Sequence, residues 1–121
     1  MSSDHHETIV RSFVRVSDLD ELWAGEMLGV DVDGVKILLV HTDDGVIQAL
    51  QAMCPHQAVP LENGELCGKA VICAAHRWEI EVATGKGINP RHAEVALYPT
   101  KVENGQIYVS VIGIEPKHCK P

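Results

Sequence analysis

Cys54-Pro55-His56 and, sixteen residues further on (57 to 72), Cys73-Ala74-Ala75-His76 constrain this chain more than any other feature. Each segment offers one thiolate and one imidazole, and both donor types suit iron and zinc. For the four donors to share one centre, two segments distant in sequence must meet, so the fold has to present two loops face to face. One residue between Cys54 and His56 is a tight bite for a single tetrahedral ion and suits two neighbouring irons better. Two arrangements stay open. One ion takes all four donors, or the Cys of each segment binds one iron and the His of each segment binds the other. Pro55 has a fixed φ and no N–H, which stiffens the spacing in either case.

The sequence around these segments reads as short strands separated by turns. Residues 30–32 and 35–40 flank Asp33-Gly34, which predicts a hairpin. Asp44-Gly45 predicts a turn before a strand at 46–50, and Asn104-Gly105 a hairpin between 96–102 and 106–111. In the centre, Ala70-Val71-Ile72 leads into Cys73, 77–82 reads as the returning strand, and Thr84-Gly85-Lys86-Gly87 as its turn. Ser17 opens an S-x-x-D pattern with Asp20, predicting one short helical turn that ends by Gly25. This punctuation predicts an all-β fold, an antiparallel β-sandwich base with a small two-loop lobe at about 52–92, with 1–121 as one domain. Residues 1–7 and 116–121 are expected to be the loosest parts.

Composition excludes several classes. The net charge of -7 repels phosphate backbones, which argues against nucleic-acid binding, and it can steer docking onto basic surfaces or simply maintain solubility. No apolar run approaches the length that spans a bilayer, and the polar start Met1-Ser2-Ser3-Asp4-His5-His6-Glu7 lacks a signal-peptide core. A cytoplasmic, monomeric protein is expected. Cys67 and Cys119 read as free thiols in a reducing compartment, with a Cys67–Cys119 disulfide as the alternative. Neither a nucleophile elbow nor a Gly-rich nucleotide loop is present.

The pattern C-x-H, spacer, C-x-x-H, with the later Gly87-Ile88-Asn89-Pro90, resembles the Rieske ferredoxin family. Gln51-Ala52-Met53-Cys54-Pro55-His56-Gln57, His76-x-Trp78 and Tyr108-Val109-Ser110 look most like the ferredoxin components of bacterial multicomponent di-iron monooxygenases acting on toluene-type aromatics or alkenes. The resemblance implies a Rieske-type [2Fe–2S] cluster, one per chain, with Cys54 and Cys73 on the buried iron, His56 and His76 on the outer iron, and Pro90 closing the lobe. It implies an electron carrier and not an enzyme, passing single electrons from an NADH-dependent flavin reductase to a di-iron hydroxylase. With all four ligand positions filled by protein, the irons would have no vacant site for substrate.

The implied ligand set also bears on potential. Two ferric ions are balanced by two sulfides and two thiolates, whereas four thiolates would leave a dianion, so the two-His centre accepts an electron more readily. Respiratory Rieske proteins carry an extra Cys in each ligand loop, and the matching positions here look like Val59 and Ala75. Where those proteins place Ser and Tyr hydroxyls, this chain has Trp78 and Ile80. Fewer donors toward the cluster imply a potential near the low end of the Rieske range, roughly -150 to 0 mV.

Two other readings stand beside this one: the ferredoxin of a ring-hydroxylating dioxygenase, and a zinc-binding structural module. Trp78 reads either as core or as a shield at the cluster, and Arg77 as a tuning charge or a solvated side chain. His5, His6, His41, His92 and His118 read as ordinary histidines. Glu62, Glu65 and Glu79, near the ligand loops in sequence, are candidates for partner docking.

Overall fold

The computed structural model describes residues 12–57 and 59–119. Apart from two short 3₁₀ turns, the regular structure of the described residues is all strands: β1 Val14–Asp18, β2 Glu26–Val32, β3 Val35–His41, β4 Ile47–Gln51, β5 Glu65–Cys67, β6 Ala70–Ile72, β7 Glu79–Glu81, β8 Gly87–Asn89, β9 Leu97–Tyr98, β10 Thr100–Glu103 and β11 Gln106–Val109. They form three antiparallel sheets, β1-β11-β10, β2-β3-β4-β9 and β5-β6-β7-β8. Among the described residues no helix is long and apolar enough to cross a membrane.

The middle sheet explains the arrangement. Successive strand residues point to opposite faces, yet Ile37, Leu38, Leu39 and Val40 of β3 are all fully buried. Both faces of this strand are therefore covered, and the apolar run is continuous where a half-exposed strand would alternate. Ile37 and Leu39 join Leu22, Val32, Ala49, Tyr98, Ile107 and Val109 in the core against β1-β11-β10. Leu38 and Val40 join Leu50, Val71, Ile80 and Val95 in the core beneath the third sheet. The expected sandwich is thus the first two sheets, and the central lobe is a third layer with a sheet of its own.

The Asp33-Gly34 turn is as predicted. Val32 pairs with Val35, and Asp33 and Gly34 both take positive φ (51° and 83°), as a two-residue hairpin turn requires. Three expectations are corrected. The helical turn is a 3₁₀ turn at Leu19–Glu21, capped one residue later than predicted: the Glu21 carboxylate accepts the Asp18 N–H at 3.2 Å, and Ser17 is buried in β1. The run 96–102 is two strands, because Pro99 has no N–H to continue a ladder; β9 pairs with β4 before it and β10 with β11 after it. Residues 116–119 are held in place and not loose: Lys117 bonds to Gln51, and the Cys119 N–H donates to Pro55 at 2.9 Å. Residues 1–7, 120 and 121 lie outside the described residues.

Candidate metal centre

Two loops of the third layer meet. The first leaves β4 and runs through Cys54, Pro55 and His56; the Cys54 N–H donates to the Val59 carbonyl at 2.9 Å, and the Leu61 N–H to Ala52 at 2.8 Å. The second is the tip between β6 and β7. There the Cys73 N–H donates to Trp78 at 2.8 Å and the Arg77 N–H returns to Cys73 at 2.9 Å. Arg77 closes this tip at φ 56°, a left-handed conformation uncommon outside glycine. The returning strand consequently begins at Glu79, two residues later than predicted.

The predicted donors meet in two pairs, sulfur with sulfur and imidazole with imidazole. Cys54 and Cys73 are buried (4% and 1% exposed) in one apolar cluster with Val71, Ile80 and Trp78. Burial pushes the Cys54 thiol up, and the Cys73 thiol beside it adds to this, while the backbone N–H groups of His56 and Gln57 pull the other way. His56 is half-buried and His76 exposed, with their rings edge to face at 4.6 Å between centroids. His56 Nδ1 is buried and has no hydrogen-bond partner. A buried polar atom normally has one, and a nitrogen lone pair directed at a metal removes that anomaly. Among the described residues no three His, Cys, Asp or Glu side chains gather as a single-ion site requires. Sulfurs inside and imidazoles outside, two and two, fit a two-iron centre.

Two ring contacts were not predicted from the sequence. Trp78, 8% exposed, stacks its ring on His56 at 4.7 Å and 11° between planes. His92, expected to be an ordinary histidine, meets the same indole edge-on at 5.4 Å. His76, Arg77, Trp78, Pro90 and His92 share one shallow depression. Of the acidic candidates, Glu65 sits beside the second loop through Arg77, 3.8 Å away, whereas Glu62 packs toward Gly29 of β2. Cys67 and Cys119 are both free thiols.

Residues 12–99 match the family described as the Rieske [2Fe-2S] domain. The chain belongs to that family. Its cofactor is a Rieske-type [2Fe–2S] cluster, the group that this donor set fits. Among Rieske relatives, the ferredoxin component of the alkene monooxygenase system of Xanthobacter autotrophicus is 42% identical over 86% of this chain and 83% of its own. The ferredoxin component of the naphthalene 1,2-dioxygenase system of Pseudomonas putida is 31% identical over 77% of this chain and 89% of its own. The ferredoxin of carbazole 1,9a-dioxygenase from Nocardioides aromaticivorans superposes with a TM-score of 0.75 at 28% identity, covering 83% of this chain and 98% of that one.

Proposed function

We propose that Cys54, Cys73, His56 and His76 hold the cluster, the two thiolates on the inner iron and the two imidazoles on the outer iron. In this role the chain is a monomeric cytoplasmic ferredoxin that carries electrons from an NADH-dependent flavin reductase to a di-iron monooxygenase hydroxylase. The single supporting observation is the pairing of a buried Cys54–Cys73 couple with a surface His56–His76 couple whose inner nitrogen lacks a partner. Bound there, the cluster supplies a one-electron couple.

The protein's own groups do the rest. Cys54 and Cys73 each lose a proton on ligation, and the N–H groups of His56 and Gln57 favour the Cys54 thiolate against its burial. Trp78 fixes the plane of His56. The exposed edge of His76 is the shortest path outward for the electron, and the apolar wall of Val71, Ile80 and Trp78 keeps water from the sulfurs. The relatives are named as ferredoxin components of oxygenase systems, which supports a carrier component and not a catalyst. The 42% identity to an alkene monooxygenase ferredoxin supports the monooxygenase partner over the dioxygenase one.

Reconstitution tests this. The protein, mixed with NADH, a flavin reductase and a di-iron hydroxylase, is expected to sustain product formation that stops when the protein is omitted. Turnover only with a mononuclear-iron dioxygenase would support the second reading, and colourless protein holding zinc without sulfide would overturn both.

A further inference from the structure

Gln51 ends β4 three residues before Cys54, and its side chain is 2% exposed. Its Oε1 accepts the N–H of Ala96 and of Lys117, each at 2.8 Å. Its Nε2 donates to the carbonyls of Met53 at 2.9 Å and Lys117 at 3.0 Å. Both backbone groups of Lys117 are thus held by one side chain, as a neighbouring strand would hold them. Two further contacts extend the grip: Lys117 Nζ lies 3.0 Å from Glu94 Oε2, and the Cys119 N–H donates to Pro55, the residue between the two donors of the first loop, at 2.9 Å. This segment lies beyond the residues 12–99 that match the family, and Glu115, Pro116, Lys117 and His118 are exposed. Ile114 and Cys119 pack against the two cores at either end, but the four exposed residues between them have no apolar burial, and ordering exposed chain costs entropy. Hydrogen bonds hold the exposed stretch, and they converge on the first ligand loop.

We propose that Gln51 and residues 117–119 form a clamp on the outer side of Cys54-Pro55-His56 that keeps this loop in ligating geometry and slows the loss of iron. The inference rests on the ligand assignment above. Gln51 is a positioning residue, touching Met53 and not the donors. With the clamp open, the Met53 and Pro55 carbonyls lose these donors, and the cavity of about 540 Å³ that Ile114, Glu115, Pro116 and His118 line with the first loop widens.

The test compares the iron-loaded wild type with Gln51→Leu, Gln51→Glu and a chain ending at Pro116. Iron release from the reduced protein to excess ferrous chelator is measured beside hydrogen exchange over residues 52–60. Gln51→Leu, which removes four hydrogen bonds, and the shortened chain are expected to release iron at least about tenfold faster. Both should lose protection at 52–60 while the β2–β3 hairpin keeps its own. Gln51→Glu keeps the two accepted bonds but sets an acceptor oxygen against the Met53 and Lys117 carbonyls, and should release iron at least as fast as Gln51→Leu. Wild-type release rates with unaltered exchange in all three variants would overturn the clamp alone, as would equal loss of protection in the hairpin. A wild-type protein without inorganic sulfide would overturn the ligand assignment, and the role in iron retention with it.

Discussion

His56 is fixed from two directions, by the face of Trp78 and by the edge of His76. Aromatic pairs of this kind contribute about 0.5–1.5 kcal/mol beyond burial, enough to hold a ring plane but not to replace a core residue. Trp78→Phe keeps a ring on His56 and should leave the reduced-state spectrum close to wild type. Trp78→Ala should shift that spectrum and cost roughly 3–5 kcal/mol in chemical unfolding; an unshifted spectrum would mean the stack does not orient His56. Two glycines give a paired prediction. A Cβ on Gly64 would collide with the carbonyl of Ile72, the residue before Cys73, and backbone cannot swing aside as a flexible side chain can. Gly64→Ala should therefore push the second loop away from the first and lower iron content. Gly34 has φ +83° and open space around it, so Gly34→Ala should cost about 1 kcal/mol in strain with iron content unchanged. The two residue pairs that meet at the loop tips were legible at this scale because their types and spacing are local. The Trp78 stack and His92 were not, because a ring contact between residues on different loops leaves no periodic trace.

At the scale of elements, the turns were legible and the partners of the strands only partly. Asp33-Gly34 and Asn104-Gly105 encode their geometry in two adjacent residues, and the positive φ values there follow. The division of 96–102 at Pro99 depends on which sheet each half reaches, a long-range choice. The segment at 116–119 was misjudged for the same reason: its anchor Gln51 is 66 residues away, and its sequence is polar. Glu94 helps secure that segment. Its carboxyl sits below the ordinary Glu range, chiefly through the hydrogen bond from Lys117 and then the Lys117 and Lys86 charges. A depressed carboxyl contributes stability that is present above its unfolded value and is lost as pH falls through its folded value. The melting-temperature difference between wild type and Glu94→Gln should accordingly be largest near neutral pH and shrink on acidification below the usual carboxylate range. A difference constant from neutral to acid would remove the ion pair from the account. The group is exposed, so the effect should be small.

At the scale of the molecule, three stacked layers place the centre at the end farthest in sequence from both chain ends, and β3, buried on both faces, joins the base to the lobe. The all-β class and the sandwich were legible from turn spacing. The lobe's own sheet was less so, since strands of three residues carry little pattern. The net charge of -7 has a consequence for association. Long-range attraction to a basic partner surface is screened within about 10 Å at 0.1 M salt, so the association rate with a reductase or oxygenase component should fall several-fold from low to physiological salt. A rate flat across that range would show that charge does not steer docking. The central claim is tested most directly by pulsed electron paramagnetic resonance on the dithionite-reduced protein. Strong couplings from two inequivalent imidazole nitrogens are expected, one of them lost in His76→Cys. A reduced centre with no coupled nitrogen, or the same two couplings after that substitution, would contradict it.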